Sequence, residues 1–176
     1  MSAAIVWTRA RPLGSLFAAV IAAVVLVRYG PGAPGLIAAF AGAVLVVLSQ
    51  IDIESRRLPN RIVLPAAAIV LAARLASAPG HWAAWVGAAL GVAAFLLLFS
   101  LVFPAGLGMG DVKLALLLGA TLGGAVLPAL VLGTLAGAAA AVVLLVRDGP
   151  RALGRSMPFG PFLAFGAIAT ALLLTP

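Results

Sequence analysis

Long apolar runs, broken only by short clusters of arginine, glycine and proline, occupy most of this chain and leave it few ways to fold. Of its 176 residues 65% are hydrophobic and only 9% charged, with a mean hydropathy of +1.27, a composition outside the range of water-soluble domains. A bilayer core offers no water to backbone N–H and C=O groups, so each run must satisfy its own as a helix. At about 20 residues per crossing, the length admits six or seven spans and little soluble structure. The expectation is an all-α, polytopic membrane helix bundle of about six to seven transmembrane segments, with residues 1–176 forming a single membrane domain.

The runs lie at about Leu13 to Val27, Gly35 to Ile51, Ile62 to Ser77, Trp82 to Phe103, Val112 to Leu122, Ala125 to Val146 and Phe159 to Leu174. The first carries A-x-A-like sites of the kind that follow a signal peptide, but the spans make a consistent topology only if it is retained. Seven crossings with a cytoplasmic N-terminus put Arg9, Arg11, Arg56, Arg57, Arg61, Lys113, Arg147, Arg151 and Arg155 on one side and leave Arg28 and Arg74 on the other. That is the positive-inside pattern. Val112 to Leu122 is the short member, reaching about 16 Å as a helix. If it turned back at Gly123-Gly124, the last three arginines would face outward, so the charges favour a crossing, lengthened toward Leu127. Gly87 with Gly91, and Gly133 with Gly137, have the four-residue spacing that lets membrane helices approach closely; the general frequency of glycine in membrane helices is the alternative.

The net charge of +7 does not indicate nucleic acid, because the arginines sit between apolar runs rather than along a soluble face. The absence of cysteine excludes disulfides, thiolate catalysis and cysteine-ligated zinc. His81, the only histidine, falls in an expected outer loop and is a poor candidate for metal binding or acid–base work. No cofactor or metal site is expected.

Four acidic residues occur in the chain: Asp52, Glu54, Asp111 and Asp148. Asp148 sits among arginines and reads as a solvated loop charge. Asp52 and Asp111 stand at the mouths of apolar runs, on the same face if the seven-span topology holds, where an ionisable group is a functional candidate by default. Asp52 ends a run, where the helix dipole disfavours an anion; Glu54 adds negative charge, and Arg56, Arg57 and Arg61 offer compensation. Asp52 as an interfacial acid paired with one of these arginines is the plainer alternative. Asp111 follows Gly108 and Gly110, which permit unusual torsions and close approach, so that the loop from Pro104 can fold tightly and deliver the carboxylate near a helix N-terminus. An ordinary N-cap is the alternative there.

Three blocks together resemble the type IV prepilin peptidases, a branch of the GxGD intramembrane aspartyl proteases. They are Asp52-Ile53-Glu54-Ser55-Arg56-Arg57-Leu58-Pro59-Asn60, Gly108-Met109-Gly110-Asp111-Val112-Lys113-Leu114, and Pro158-Phe159-Gly160-Pro161-Phe162-Leu163-Ala164. The order and spacing fit over about Gly35 to Leu174. The resemblance implies a bacterial cytoplasmic-membrane peptidase in which Asp52 and Asp111 activate water. Its substrates would be prepilins or pilin-like secretion subunits, cut at the cytoplasmic face where their short basic leader meets an apolar helix. It also implies that the Pro158 block lies beside the active site.

Supporting roles are expected for Gly108, Gly110, Lys113, Pro59 and Asn60. Lys113 either holds a polar part of the substrate or anchors at the interface, and Pro59-Asn60 ends a loop and restarts a helix at Arg61. Because Asp52 ends a helix and Asp111 begins one, Asp52 is favoured as the protonated partner. Longer members of the family carry an N-terminal region with paired cysteines associated with methylation; nothing here corresponds, so a peptidase-only form is expected. The rival readings are a small proton- or cation-coupled transporter and a non-catalytic pilus or secretion assembly factor. The two acids near one face disfavour a path through the membrane midplane.

Overall fold

A computed structural model gives the structure of the chain and describes residues 12–103, 107–149 and 157–174. Among the described residues there are seven α-helices and no strand: α1 (Pro12–Tyr29), α2 (Ala33–Ser55), α3 (Asn60–Ser77), α4 (Trp82–Val102), α5 (Met109–Leu122), α6 (Val126–Asp148) and α7 (Gly160–Leu173). Single 3-10 turns at Pro79–His81 and Gly123–Ala125 lead into α4 and α6. Four stretches, Ala33–Ser55, Asn60–Ser77, Pro79–Val102 and Met109–Asp148, are long and apolar enough to cross a membrane, and Gly14–Tyr29 and Gly160–Leu173 are shorter apolar helices. The protein is a multi-pass helical membrane bundle, with a helix where each apolar run lies.

The shortest expected span turns out to be the hub. Leu114, Ala115, Leu117, Leu118 and Ala120 of α5 are at most 1% exposed, and they form the centre of a core shared with α2, α3, α4 and α7. Burial among helices spares α5 from matching the full bilayer thickness with its own length. Close approach depends on Gly119: a Cβ there would lie 2.5 Å from the Ala88 carbonyl oxygen and 2.6 Å from Ala89 Cα of α4.

The structure also decides the fate of α5. Its far end meets the far ends of its neighbours, because the Thr121 carbonyl accepts a hydrogen bond from Arg74 near the end of α3 and Gly123 packs under Trp85 near the start of α4. It therefore traverses the bundle rather than turning back. It does not lengthen to Leu127, since Gly123, with φ +57°, breaks the helix. Returning from that end, α6 runs antiparallel to α7, with Gly133 against Phe162, Gly137 against Phe159, and Gly166 against Ala129. Gly133 and Gly137 thus act at a helix contact as expected. Gly87 and Gly91 do not: nothing lies within 4 Å of a Cβ at either, because α4 turns Ala89 and Val92 inward instead.

This order puts Arg56, Arg57, Arg61, Lys113 and Arg147 at one end of the bundle and Arg28 and Arg74 at the other. Arg9, Arg11, Arg151, Arg155 and the loop residues Pro104, Ala105 and Gly106 lie outside the described residues.

Candidate active site

Asp52 is carried on the last full turn of α2, which ends when Arg56 takes a left-handed conformation and its amide closes on the Asp52 carbonyl at 2.8 Å. The side chain is only 6% exposed. Glu54, Arg56, Arg57 and Arg61 are exposed, and the polar partner of the carboxylate is the Gly160 amide, which donates to Oδ2 at 2.9 Å. The compensation expected from the arginines therefore comes from backbone instead.

The reason lies at the start of α7, where four amides have no intrahelical acceptor. Pro161 has no N–H, and the Phe162 and Leu163 amides turn back to the Phe159 carbonyl at 3.1 and 3.2 Å. Gly160 is left over, and Asp52 caps it. A carboxylate placed there also meets the positive end of the α7 dipole. Only glycine fits, because a Cβ at 160 would lie 2.8 Å from Asp52 Oδ2.

Asp111 is the third residue of α5, whose N-cap is Gly108. Its amide reaches the Gly108 carbonyl at 3.0 Å, and its Oδ2 would lie 3.6 Å from a Cβ at Gly108. The side chain is half-buried, and Asp52 is the charge that acts on it. Both carboxylates thus sit at helix N-termini, Asp111 through its own helix and Asp52 through α7. The dipole asymmetry that favoured Asp52 as the protonated partner does not hold in the tertiary structure.

The two motif glycines differ. Gly108 has φ −80° and ψ 149°, torsions open to any residue, so the unusual backbone expected there is absent. Gly110 is needed for approach: a Cβ would fall 3.1 Å from Leu58 Cβ, and this contact brings the loop after Asp52 onto the start of α5. Lys113 strengthens the same junction, donating from Nζ to Asn60 Oδ1 at 2.8 Å, so it is tied to the first block. Pro59 is the N-cap of α3, which begins at Asn60, one residue before the expected start. Asp148 is exposed on the last turn of α6 rather than in a loop.

Gly160 is the site residue that sequence reasoning left out of its candidates. Its block carries part of the family resemblance, but only the packing of α7 on α2 brings its amide to Asp52. Among the described residues no group of three or more histidine, cysteine, aspartate or glutamate side chains is placed to hold a metal ion. The arrangement offers two carboxyl groups at one end of the bundle, Asp52 held by the Gly160 amide, with the Leu58–Asn60 loop clamped beside them.

The type IV leader peptidase family profile matches residues 39–146. The chain is 35% identical over 171 residues to a "Prepilin leader peptidase/N-methyltransferase" of Burkholderia pseudomallei (strain 1026b), covering 94% of this chain and 55% of that protein. Proteins of the same name from Pseudomonas putida and Bacillus subtilis (strain 168) are 37% and 32% identical, over 87% and 92% of this chain and 55% and 65% of theirs. The chain thus spans about half to two thirds of the length of these relatives. No solved structure matches it significantly.

Proposed function

The chain belongs to the type IV leader peptidase family, and from that membership we propose that it is a membrane-embedded aspartic endopeptidase acting through Asp52 and Asp111. Its substrates are prepilins or pilin-like secretion subunits, which lose a short basic leader. The observation that carries the reading is the convergence of three separated blocks on one end of the bundle, where Gly160 caps Asp52 and Leu58, of the same block as Asp52, packs on Gly110 beside Asp111.

Two carboxyl groups sharing a site do not both ionise easily, so the dyad holds one proton. The ionised carboxylate takes a proton from water as the water oxygen attacks the scissile carbonyl carbon. The protonated partner gives its proton to the carbonyl oxygen, forming a gem-diol. Collapse breaks the C–N bond: the amine leaves with the proton held by the first carboxyl, and a gem-diol hydroxyl returns one to the second. The dyad regains its starting charge. The proton belongs to the coupled pair rather than to either residue.

Gly160 orients the Asp52 carboxyl group through its amide. Gly110, Pro59, Asn60 and Lys113 hold the loop after Asp52 against α5. The arginine bias makes this end cytoplasmic, with the N-terminus on the same side and the protein in the bacterial cytoplasmic membrane. A substrate helix in the bilayer would then present its leader junction from the side on which its basic leader remains. All 176 residues act as one peptidase domain.

The test is co-expression with a tagged prepilin and measurement of leader removal for the native chain, Asp52→Asn and Asp111→Asn at matched membrane levels. Loss of processing in both variants is expected. Processing that survives both substitutions would overturn the dyad.

A further inference from the structure

A second polar feature lies at the opposite end of the bundle, independent of the peptidase reading. A cavity of about 220 Å³ lies where α1, α3, α5 and α7 end and α2 and α4 begin, with Tyr29, Pro34, Arg74, Trp85, Thr121 and Ala171 among its walls. Ala38, also in the wall, precedes Asp52 by fourteen residues of continuous α2, which puts the cavity roughly 21 Å from the dyad's level.

Its polar wall is built from donors. The Arg74 guanidinium lies 4.4 Å over the Trp85 ring and uses one Nη to reach the Thr121 carbonyl at 2.7 Å. Arg74 Nε and Trp85 Nε1 are both buried, and neither has a hydrogen-bond acceptor among the described residues. Leaving a buried donor unmatched is costly, and proteins rarely do so. Here two such donors belong to neighbouring residues of one cavity. No acidic residue lines it, and the N-terminal end of α2 adds positive dipole character at Pro34. The electrostatics therefore ask for an anion with accepting oxygens.

The rest of the wall is apolar, including Val25, Leu45 and Ile168, and the cavity sits where spanning helices end, the depth of lipid headgroups. We infer that this cavity binds the phosphate group of a membrane phospholipid, with Arg74 Nε and Trp85 Nε1 donating to its non-bridging oxygens and the apolar wall receiving the glycerol and first acyl carbons.

Native mass spectrometry in detergent, with titrated phosphatidylglycerol, tests this on the native chain, Trp85→Phe and Arg74→Lys. Trp85→Phe removes the indole donor and leaves a ring for Arg74 to stack on; Arg74→Lys keeps the charge and removes Nε. One retained phosphatidylglycerol is expected for the native chain, with retention weakened about tenfold in each variant, the worth of one hydrogen bond to an anion. Unfolding temperatures and prepilin processing report that both variants are folded. Diacylglycerol, which lacks phosphate, should not be retained. Stabilisation by inorganic phosphate without lipid retention would support the anion site and overturn its lipid source. Equal retention by all three proteins, or neither lipid retention nor a phosphate effect in the native chain, would overturn the site.

Discussion

Gly160→Ala and Gly108→Ala are predicted to differ sharply, although both glycines belong to motif blocks. At position 160 a Cβ would stand 2.8 Å from Asp52 Oδ2, 3.3 Å from its Cγ and 3.4 Å from its Cβ. Restoring ordinary contact requires the carboxylate and the α7 start to separate by roughly 0.6 Å, which stretches the 2.9 Å Gly160–Asp52 hydrogen bond to the edge of useful geometry. A hydrogen bond to a charged group is worth about 1.5–3 kcal/mol, or roughly 10- to 150-fold in rate if lost at the transition state. Misplacing a reacting group by about 1 Å costs on the order of 100-fold. At position 108 the added Cβ would meet Asp111 Oδ2 at 3.6 Å, an ordinary contact, on torsions that alanine adopts freely. Single-turnover prepilin processing in reconstituted vesicles, at matched protein levels, should fall about 10- to 100-fold for Gly160→Ala and stay within about threefold for Gly108→Ala. Native-like processing by Gly160→Ala, together with a tenfold or larger loss for Gly108→Ala, would refute the reasoning that Asp52 is held from α7.

Three further outcomes follow from the same packing. Lys113→Met and Asn60→Ala each break the 2.8 Å bond between the first two blocks; each should reduce processing by up to about tenfold, and the double variant should lose little more than either single one, as a double-mutant cycle would show. Gly119→Ala would drive a Cβ to 2.5 Å from the Ala88 carbonyl oxygen and should lower stability in detergent by about 3 kcal/mol or more. Gly87→Ala, with nothing within 4 Å, should leave the unfolding temperature unchanged or raise it slightly.

The seven helices were legible in the sequence because each apolar run must be a helix in a bilayer, whatever its neighbours do. The two aspartates were legible for a related reason: carboxyl groups are so rare in such a chain that each demands an explanation. Local chemistry also places Asp111, since its amide bonds the Gly108 carbonyl three residues away at the same helix start. Asp52 shows the limit. Along the chain it sits at the end of α2, the unfavourable end of a dipole and close to three arginines. In the bundle the arginines are exposed, and the carboxylate instead caps α7, 108 residues away. Spacing does not encode which amide is left without an acceptor at a distant helix start, nor that α7 packs on α2. The same holds for Gly87 and Gly91, whose four-residue spacing matches that of Gly133 and Gly137 but faces outward, and for Arg74, which charge counting treats as a topology signal and packing makes the wall of a cavity. Sequence alone determined what must be helical and which residues were too costly to be incidental, because those follow from solvent and composition. Tertiary structure decided which groups meet, because a contact between helices depends on which faces they turn to one another.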